Sequence, residues 1–126
     1  YLIFNQQDCI FLKKRTGKDI WQNLYDFPLI ETEGLVEDKN ELLENPILQA
    51  WLGGASAKLL TVSQPFRQEL THQKIIARFW EIEIGNDFSA AGLDWLKVSR
   101  QETENFAFPK IIDLYFQQKV LPFDFF

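Results

Sequence analysis

Methionine is absent from the 126 residues, cysteine and histidine occur once each, and no apolar run is long enough to cross a bilayer. Each absence removes a class of protein. A lone Cys9 cannot close an internal disulfide, and one Cys with one His cannot build a structural zinc site. A membrane helix needs roughly 18 consecutive apolar residues, and no such stretch occurs. No secretory-signal pattern opens the chain. Natural gene products begin with Met, so a chain opening on the strand-like Tyr1-Leu2-Ile3-Phe4 is expected to be a piece of a longer protein. What is present is a core. Hydrophobic residues make up 46% and aromatic residues 15%, too apolar for disorder and sufficient for one domain spanning the whole chain, not two.

The formal charge is −5, from 18 acidic and 13 basic residues. An acidic domain repels a polyanion at long range, so by itself it is expected to be a poor nonspecific nucleic-acid binder. The densest basic cluster, Lys13-Lys14-Arg15 followed by Lys18, reads as a solvated hairpin end. Cys9 sits between Asp8 and Ile10 and reads as small, buried apolar filler.

Tyr1–Phe4 and Cys9–Lys13 are apolar runs joined by Asn5-Gln6-Gln7-Asp8, which predicts an antiparallel hairpin with a four-residue polar loop. After a turn-rich loop comes an aromatic stretch in which Trp21, Tyr25 and Phe27 are expected to pack in the core. Residues 37–52 carry helical spacing with Leu42, Leu43, Ile47, Ala50 and Trp51 as inward positions. Pro46 cannot sit mid-helix, so Asn45-Pro46 reads as an N-cap and first helical position that splits this segment in two. Gly53-Gly54 ends the second helix. Lys58–Gln64 and Lys74–Ile84 read as strands, the second with Ile76, Trp80, Ile82 and Ile84 on one face and Ile75, Ala77 and Phe79 on the other. Ser99-x-x-Glu102 is a capping-box pattern. Pro109 opens a final helix striped by Ile111, Ile112, Tyr115 and Phe116. This order predicts an α+β fold, one sheet with helices packed on it.

Catalytic motifs are missing. There is no GxSxG elbow, phosphate-binding Walker loop or GxGxxG turn. Glu81 and Glu83 alternate on one strand face, a pattern expected of solvent exposure. His72, the only side chain with an ordinary pKa near neutrality, has no nucleophile or metal partner nearby in sequence, and as a plain loop residue it would cap or hydrogen-bond its own turn. Composition and spacing stop at an α+β domain.

Three segments go further. Arg15-Thr16-Gly17-Lys18-Asp19-Ile20-Trp21-Gln22-Asn23-Leu24-Tyr25-Asp26-Phe27-Pro28 resembles the R-x(3)-G-I-W-x-G-L-W-x-F-P signature of MutY-type adenine DNA glycosylases. Leu70-Thr71-His72-Gln73-Lys74 is similar to that family's F-[ST]-H loop, and Trp95 with Phe106-Ala107-Phe108-Pro109-Lys110 to its late W…[YF]-A-[FLI]-P-K segment. Order and approximate spacing agree over nearly the whole chain. Asn23 and Tyr25 stand where the family has Gly and Trp, and Leu70 where it has Phe.

The resemblance implies the C-terminal domain of such a glycosylase, with a Nudix-like mixed sheet between helices. It implies recognition of 8-oxoguanine opposite adenine in double-stranded DNA during base excision repair. Adenine removal would belong to an N-terminal catalytic domain with an iron–sulfur cluster, so no cofactor and no metal are expected in these residues. The implied lesion contacts are Thr71, accepting from the N7–H that oxidation creates, and His72, holding the loop or touching DNA. Leu70 would flank them, and the basic residues near this loop in sequence, Arg67, Lys74 and Arg78, are the expected phosphate contacts. The implied protein is a cytoplasmic, DNA-associated bacterial monomer with no membrane partner.

Two rivals remain. The Nudix relationship raises a nucleotide pyrophosphatase, whose pattern G-x(5)-E-x(7)-R-E-U-x-E-E-x-G-U clusters carboxylates around Mg²⁺. Here Gly34 is followed six residues later by Asn40, no Arg-Glu-x-x-Glu-Glu occurs, and Leu29-Ile30 replaces the customary Gly-Gly. The apolar tail Leu121-Pro122-Phe123-Asp124-Phe125-Phe126 raises a protein-interaction domain that docks repair partners, although folding that tail onto its own core is the plainer expectation.

Overall fold

The computed structural model describes residues 1–15 and 24–124, with side chains described as far as residue 118. The expectations placed on Lys18, Trp21, Asn23 and the apolar tail therefore lie outside the described residues or side chains.

The central scaffold is a mixed sheet in the order β3-β2-β1-β7-β4, with β8 also pairing β2. Its strands are β1 (Leu2–Gln6), β2 (Cys9–Lys14), β3 (Tyr25–Asp26), β4 (Ala57–Val62), β7 (Trp80–Ile84) and β8 (Leu96–Ser99). β1 runs parallel to β7, with Ile3 opposite Glu81, and the other pairings are antiparallel. A separate two-stranded sheet joins β5 (Phe66–Leu70) to β6 (Gln73–Ala77). Among the described residues three α-helices complete a mixed α/β fold: α1 (Lys39–Leu43), α2 (Pro46–Leu52) and α3 (Lys110–Asp124).

Strand periodicity sorts the core. Leu2, Phe4 and Phe11 join Trp80, Ile82 and Ile84 in one cluster with Leu42, Leu48 and Leu52 of α1 and α2. The alternate residues Ile3, Ile10 and Leu12 join Phe27, Phe79 and Val98 in a second cluster with Ile111, Ile112 and Tyr115 of α3. Successive side chains leave a strand on opposite faces, so this division follows directly from the sequence alternation.

The opening hairpin is tighter than its composition suggests. Pairing continues through Asn5 and Gln6 to leave Gln7-Asp8 as a two-residue turn, with Gln7 in the left-handed region at φ 57°. Asn5 and Gln6 are buried, not looped out, because each finds partners. Gln6 Nε2 donates to the Gly85 carbonyl at 2.9 Å, and Lys97 Nζ donates to Gln6 Oε1 at 2.8 Å. Cys9, opposite Ser99, is only half-buried.

Asn45 caps α2 by accepting from Ile47 and Leu48 N–H, Pro46 opens it, and Gly53 closes it at φ 58°. Restarting the helix at Pro46 resets its phase. The inward positions are Leu48 and Leu52, while Ile47 is 48% exposed and Ala50 lies in solvent. Ser99 and Glu102 form the reciprocal capping box, but on a short 3-10 helix, Arg100–Asn105.

The expected strand Lys74–Ile84 is broken at Arg78-Phe79. Two slips in pairing explain the break. Leu59 to Thr61 on β4 faces only Ile82 to Glu81 on β7, one extra residue. From Val62 to Phe66 is four steps, whereas Trp80 back to Ala77 is three. Such bulges bend a ribbon, and here the bend carries β5–β6 off the main sheet. Ser63 braces the joint: its N–H donates to the Phe79 carbonyl at 2.8 Å, and its Oγ accepts from Phe79 N–H at 2.9 Å. Ile76 consequently leaves the face expected for it and is 44% exposed.

Candidate nucleobase-reading hairpin and its cleft

β5 was hidden in sequence behind two charged residues, Arg67 and Glu69. They alternate with Phe66, Gln68 and Leu70, a two-residue period that fits one inward and one outward face. The register pairs Phe66 with Ala77, Gln68 with Ile75 and Leu70 with Gln73 on one face. On the other it pairs Arg67 with Ile76 and Glu69 with Lys74. Phe66 and Ile75 pack against the α3-side core, where the Phe66 ring meets Phe79 edge-on at 5.4 Å and Tyr115 at 5.9 Å.

Thr71 and His72 are the two turn residues, both exposed. Arg67 and Lys74 are exposed on the outward face, and Leu70 is half-buried beside the turn. One hairpin therefore carries all five expected contact residues. Arg78 differs. It is half-buried, and its Nη1 donates to the Val36 carbonyl at 3.1 Å, bracing the segment after β3 and not standing free in solvent.

Beneath the hairpin lies a cleft of about 520 Å³, walled by residues 29–36 on one side and by Gln68 and residues 73–78 on the other. Tyr1 and Leu2 line it as well. Two polar atoms of its walls, Gln68 Oε1 and Arg78 Nε, are buried with no hydrogen-bond partner. A buried unpaired polar group costs about 1–3 kcal/mol. Beside the cleft, Arg15 Nη1 meets the buried Asp26 carboxylate at 3.0 Å. Burial raises the Asp26 pKa above its ordinary 3.8, an effect that outweighs the opposing Arg15 contacts.

Sequence reasoning missed Glu81. Glu83 is exposed as expected, but Glu81 is only 4% exposed and is the hub of a polar network. Its carboxylate accepts from Thr61 Oγ1 at 3.1 Å, Tyr115 Oη at 3.2 Å and Arg100 Nη2 at 3.2 Å, and Arg100 also meets Asn5 Oδ1. β7 lies between β1 and β4, a central position that holds for Glu83 as well. Nothing local to Glu81 distinguishes it from Glu83.

A family model for the NUDIX domain matches residues 1–118. The chain belongs to the Nudix domain family. No curated protein matches it in a sequence search. In this Nudix domain, counting the hydrolase pattern from Gly34 puts Asn40 at the first Glu, Leu48-Gln49 at Arg-Glu and Leu52-Gly53 at Glu-Glu. Leu48 and Leu52 are buried in the core, so α2 spends on packing the positions that the pattern reserves for charge. Among the described residues no three His, Cys, Asp or Glu gather to hold a metal ion. The residues present do not fit the Mg²⁺ donor set of a Nudix hydrolase. No helix among the described residues is long and apolar enough to cross a membrane.

Proposed function

We propose that this Nudix domain reads 8-oxoguanine paired with adenine in duplex DNA, as the C-terminal, non-excising domain of a MutY-type adenine glycosylase. The observation that carries the reading is the hairpin: Thr71 and His72 form an exposed turn, with Arg67 and Lys74 exposed on the strands behind it. Oxidation converts guanine N7 from an acceptor to an N–H donor. The Thr71 hydroxyl accepts from that donor, while an acceptor at this point disfavours the lone pair of ordinary guanine. His72 holds the turn against DNA, Leu70 supports its apolar flank, and Arg67 and Lys74 approach phosphates. In this reading residues 1–126 act as one unit of a cytoplasmic monomer, whose N-terminal domain carries the iron–sulfur cluster and excises adenine.

Single-turnover adenine excision by the glycosylase carrying the domain tests this directly. Thr71→Ala combined with His72→Ala should bring the rates on 8-oxoguanine:adenine and guanine:adenine duplexes together. Unchanged discrimination would sink the reading. The family match also fits a nucleotide pyrophosphatase, but buried Leu48 and Leu52 at the carboxylate-pattern positions weigh against it. Incubation with Mg²⁺ and oxidised or ordinary nucleoside triphosphates should yield no turnover. A docking role for the apolar tail has no comparable support and predicts pull-down of repair partners that depends on residues 121–126.

A further inference from the structure

We infer that Glu69 limits the lesion-independent grip of the hairpin on DNA, competing with phosphates for Lys74 and Arg67. This rests on the reading of the hairpin as the surface that meets DNA, and names the residue that sets how strongly the backbone is held there. Across residues 66–77 Glu69 is the only acidic side chain. The register places it directly opposite Lys74. It also stands two residues from Arg67 on β5, and alternation puts Arg67, Glu69, Lys74 and Ile76 on one face. Cβ atoms directly opposite across an antiparallel pair lie about 4.5–5.5 Å apart, within reach of a carboxylate and an ammonium. All three charged side chains are exposed. Folding alone does not account for the carboxylate. The hairpin is anchored from its other face, where Phe66 and Ile75 pack against the α3-side core. An exposed ion pair adds little to stability. Its effect falls on the cations instead. A phosphate approaching Lys74 meets charge that is already balanced, so binding releases fewer salt ions and gains less free energy. Binding that ignores the base is thereby weakened on damaged and undamaged duplex alike. The bases read by Thr71 and His72 then carry a larger share of what holds the domain in place. Glu69 acts through its neighbours, and is a positioning residue.

Fluorescence anisotropy of an undamaged duplex, titrated with the glycosylase carrying the domain at about 50 to 200 mM salt, tests this. Glu69→Gln should bind about two- to fivefold more tightly at the low-salt end. Its plot of log affinity against log salt should steepen by up to about 0.9, the slope of one further phosphate contact. Glu69→Asp keeps the charge and should stay closer to the unaltered protein than Glu69→Gln does. In a Lys74→Gln background the gain from Glu69→Gln should shrink, because the cation it frees is gone. The inference is overturned if Glu69→Gln, verified as folded by its melting curve, matches the unaltered protein in affinity and salt slope. It is equally overturned if Glu69→Asp gains as much as Glu69→Gln, or if the gain is undiminished without Lys74. Single-turnover excision by the Thr71→Ala, His72→Ala variant separates the two claims. Lost discrimination there, beside unchanged binding by Glu69→Gln, overturns the role of Glu69 and leaves the lesion reading standing. Unchanged discrimination, beside tighter binding by Glu69→Gln, sinks the lesion reading and leaves Glu69 as the limit on backbone binding.

Discussion

The Glu81 network and the β5–β6 hairpin treat polar side chains in opposite ways. Around Glu81, residues from β4, α3 and the 3-10 helix converge on one buried carboxylate, and Arg100 links it onward to Asn5 of β1. On the hairpin, Arg67, Thr71, His72 and Lys74 face solvent, and inward packing is supplied mainly by Phe66 and Ile75. Polar groups in the first region specify the scaffold. In the second they are left available to something else. A rigid body presenting an exposed turn is the usual division of labour in recognition domains.

The comparison can be broken most forcefully at the joint. Phe79 is fully buried and stacks on Tyr1 at 5.0 Å and Tyr115 at 4.3 Å. Phe79→Ala should destabilise the chain by about 3–5 kcal/mol in urea unfolding. A loss below 1 kcal/mol would mean that the hairpin root and the scaffold are not one packed unit. Glu81→Ala should cost roughly 3 kcal/mol, the low end for breaking a buried pair, because the Arg100 side chain is 47% exposed and can hydrate. Asn45→Ala removes the α2 cap and should cost about 1 kcal/mol. At the other extreme, Thr71→Ala and His72→Ala should each change stability by less than about 0.5 kcal/mol. A large loss at either would make the turn a structural element and weaken the contrast.

A pH titration sharpens the same contrast. Burial, followed by the nearby Glu81 carboxylate, raises the Tyr115 phenol above its ordinary 10.0. The folded chain then holds a proton that the unfolded chain releases above about pH 10, so stability is fully present below that pH and falls as pH rises beyond it. Tyr115→Phe should flatten part of this alkaline loss in melting curves measured across pH 9–11. Part should remain, since burial also raises the Tyr1 phenol. A slope unchanged by the substitution would detach Tyr115 from the network.

Local signals were legible where local chemistry decides. Asn45-Pro46, Gly53 and the Ser99–Glu102 box each satisfy backbone groups within a turn of themselves, so residue type alone marked them. Long-range pairing was not legible. Glu81 lies between Trp80 and Ile82 and Glu83 between Ile82 and Ile84, similar apolar settings. It is the arrival of Tyr115 and Arg100 that separates a buried hub from a solvated side chain. The phase of α2 went wrong because periodicity was carried across Pro46, where the helix restarts. The long strand was broken by bulges, which depend on what stands opposite. Leu70, Thr71 and His72 came from resemblance to a family motif, and Arg67 and Lys74 from their closeness to it in sequence. Their gathering on one exposed hairpin follows from strand register, which no single stretch of sequence encodes.

The two slips in pairing have a further consequence. Because the ribbon changes register before it leaves the sheet, the outer hairpin does not depend on continuing the alternation of β4 and β7. A residue added or removed beyond Ser63 would shift side chains between the faces of β5 and β6 while leaving Trp80, Ile82 and Ile84 in place. The joint at Ser63 and Phe79 thus works as a seam, across which one scaffold can carry differently shaped hairpins without being redesigned itself.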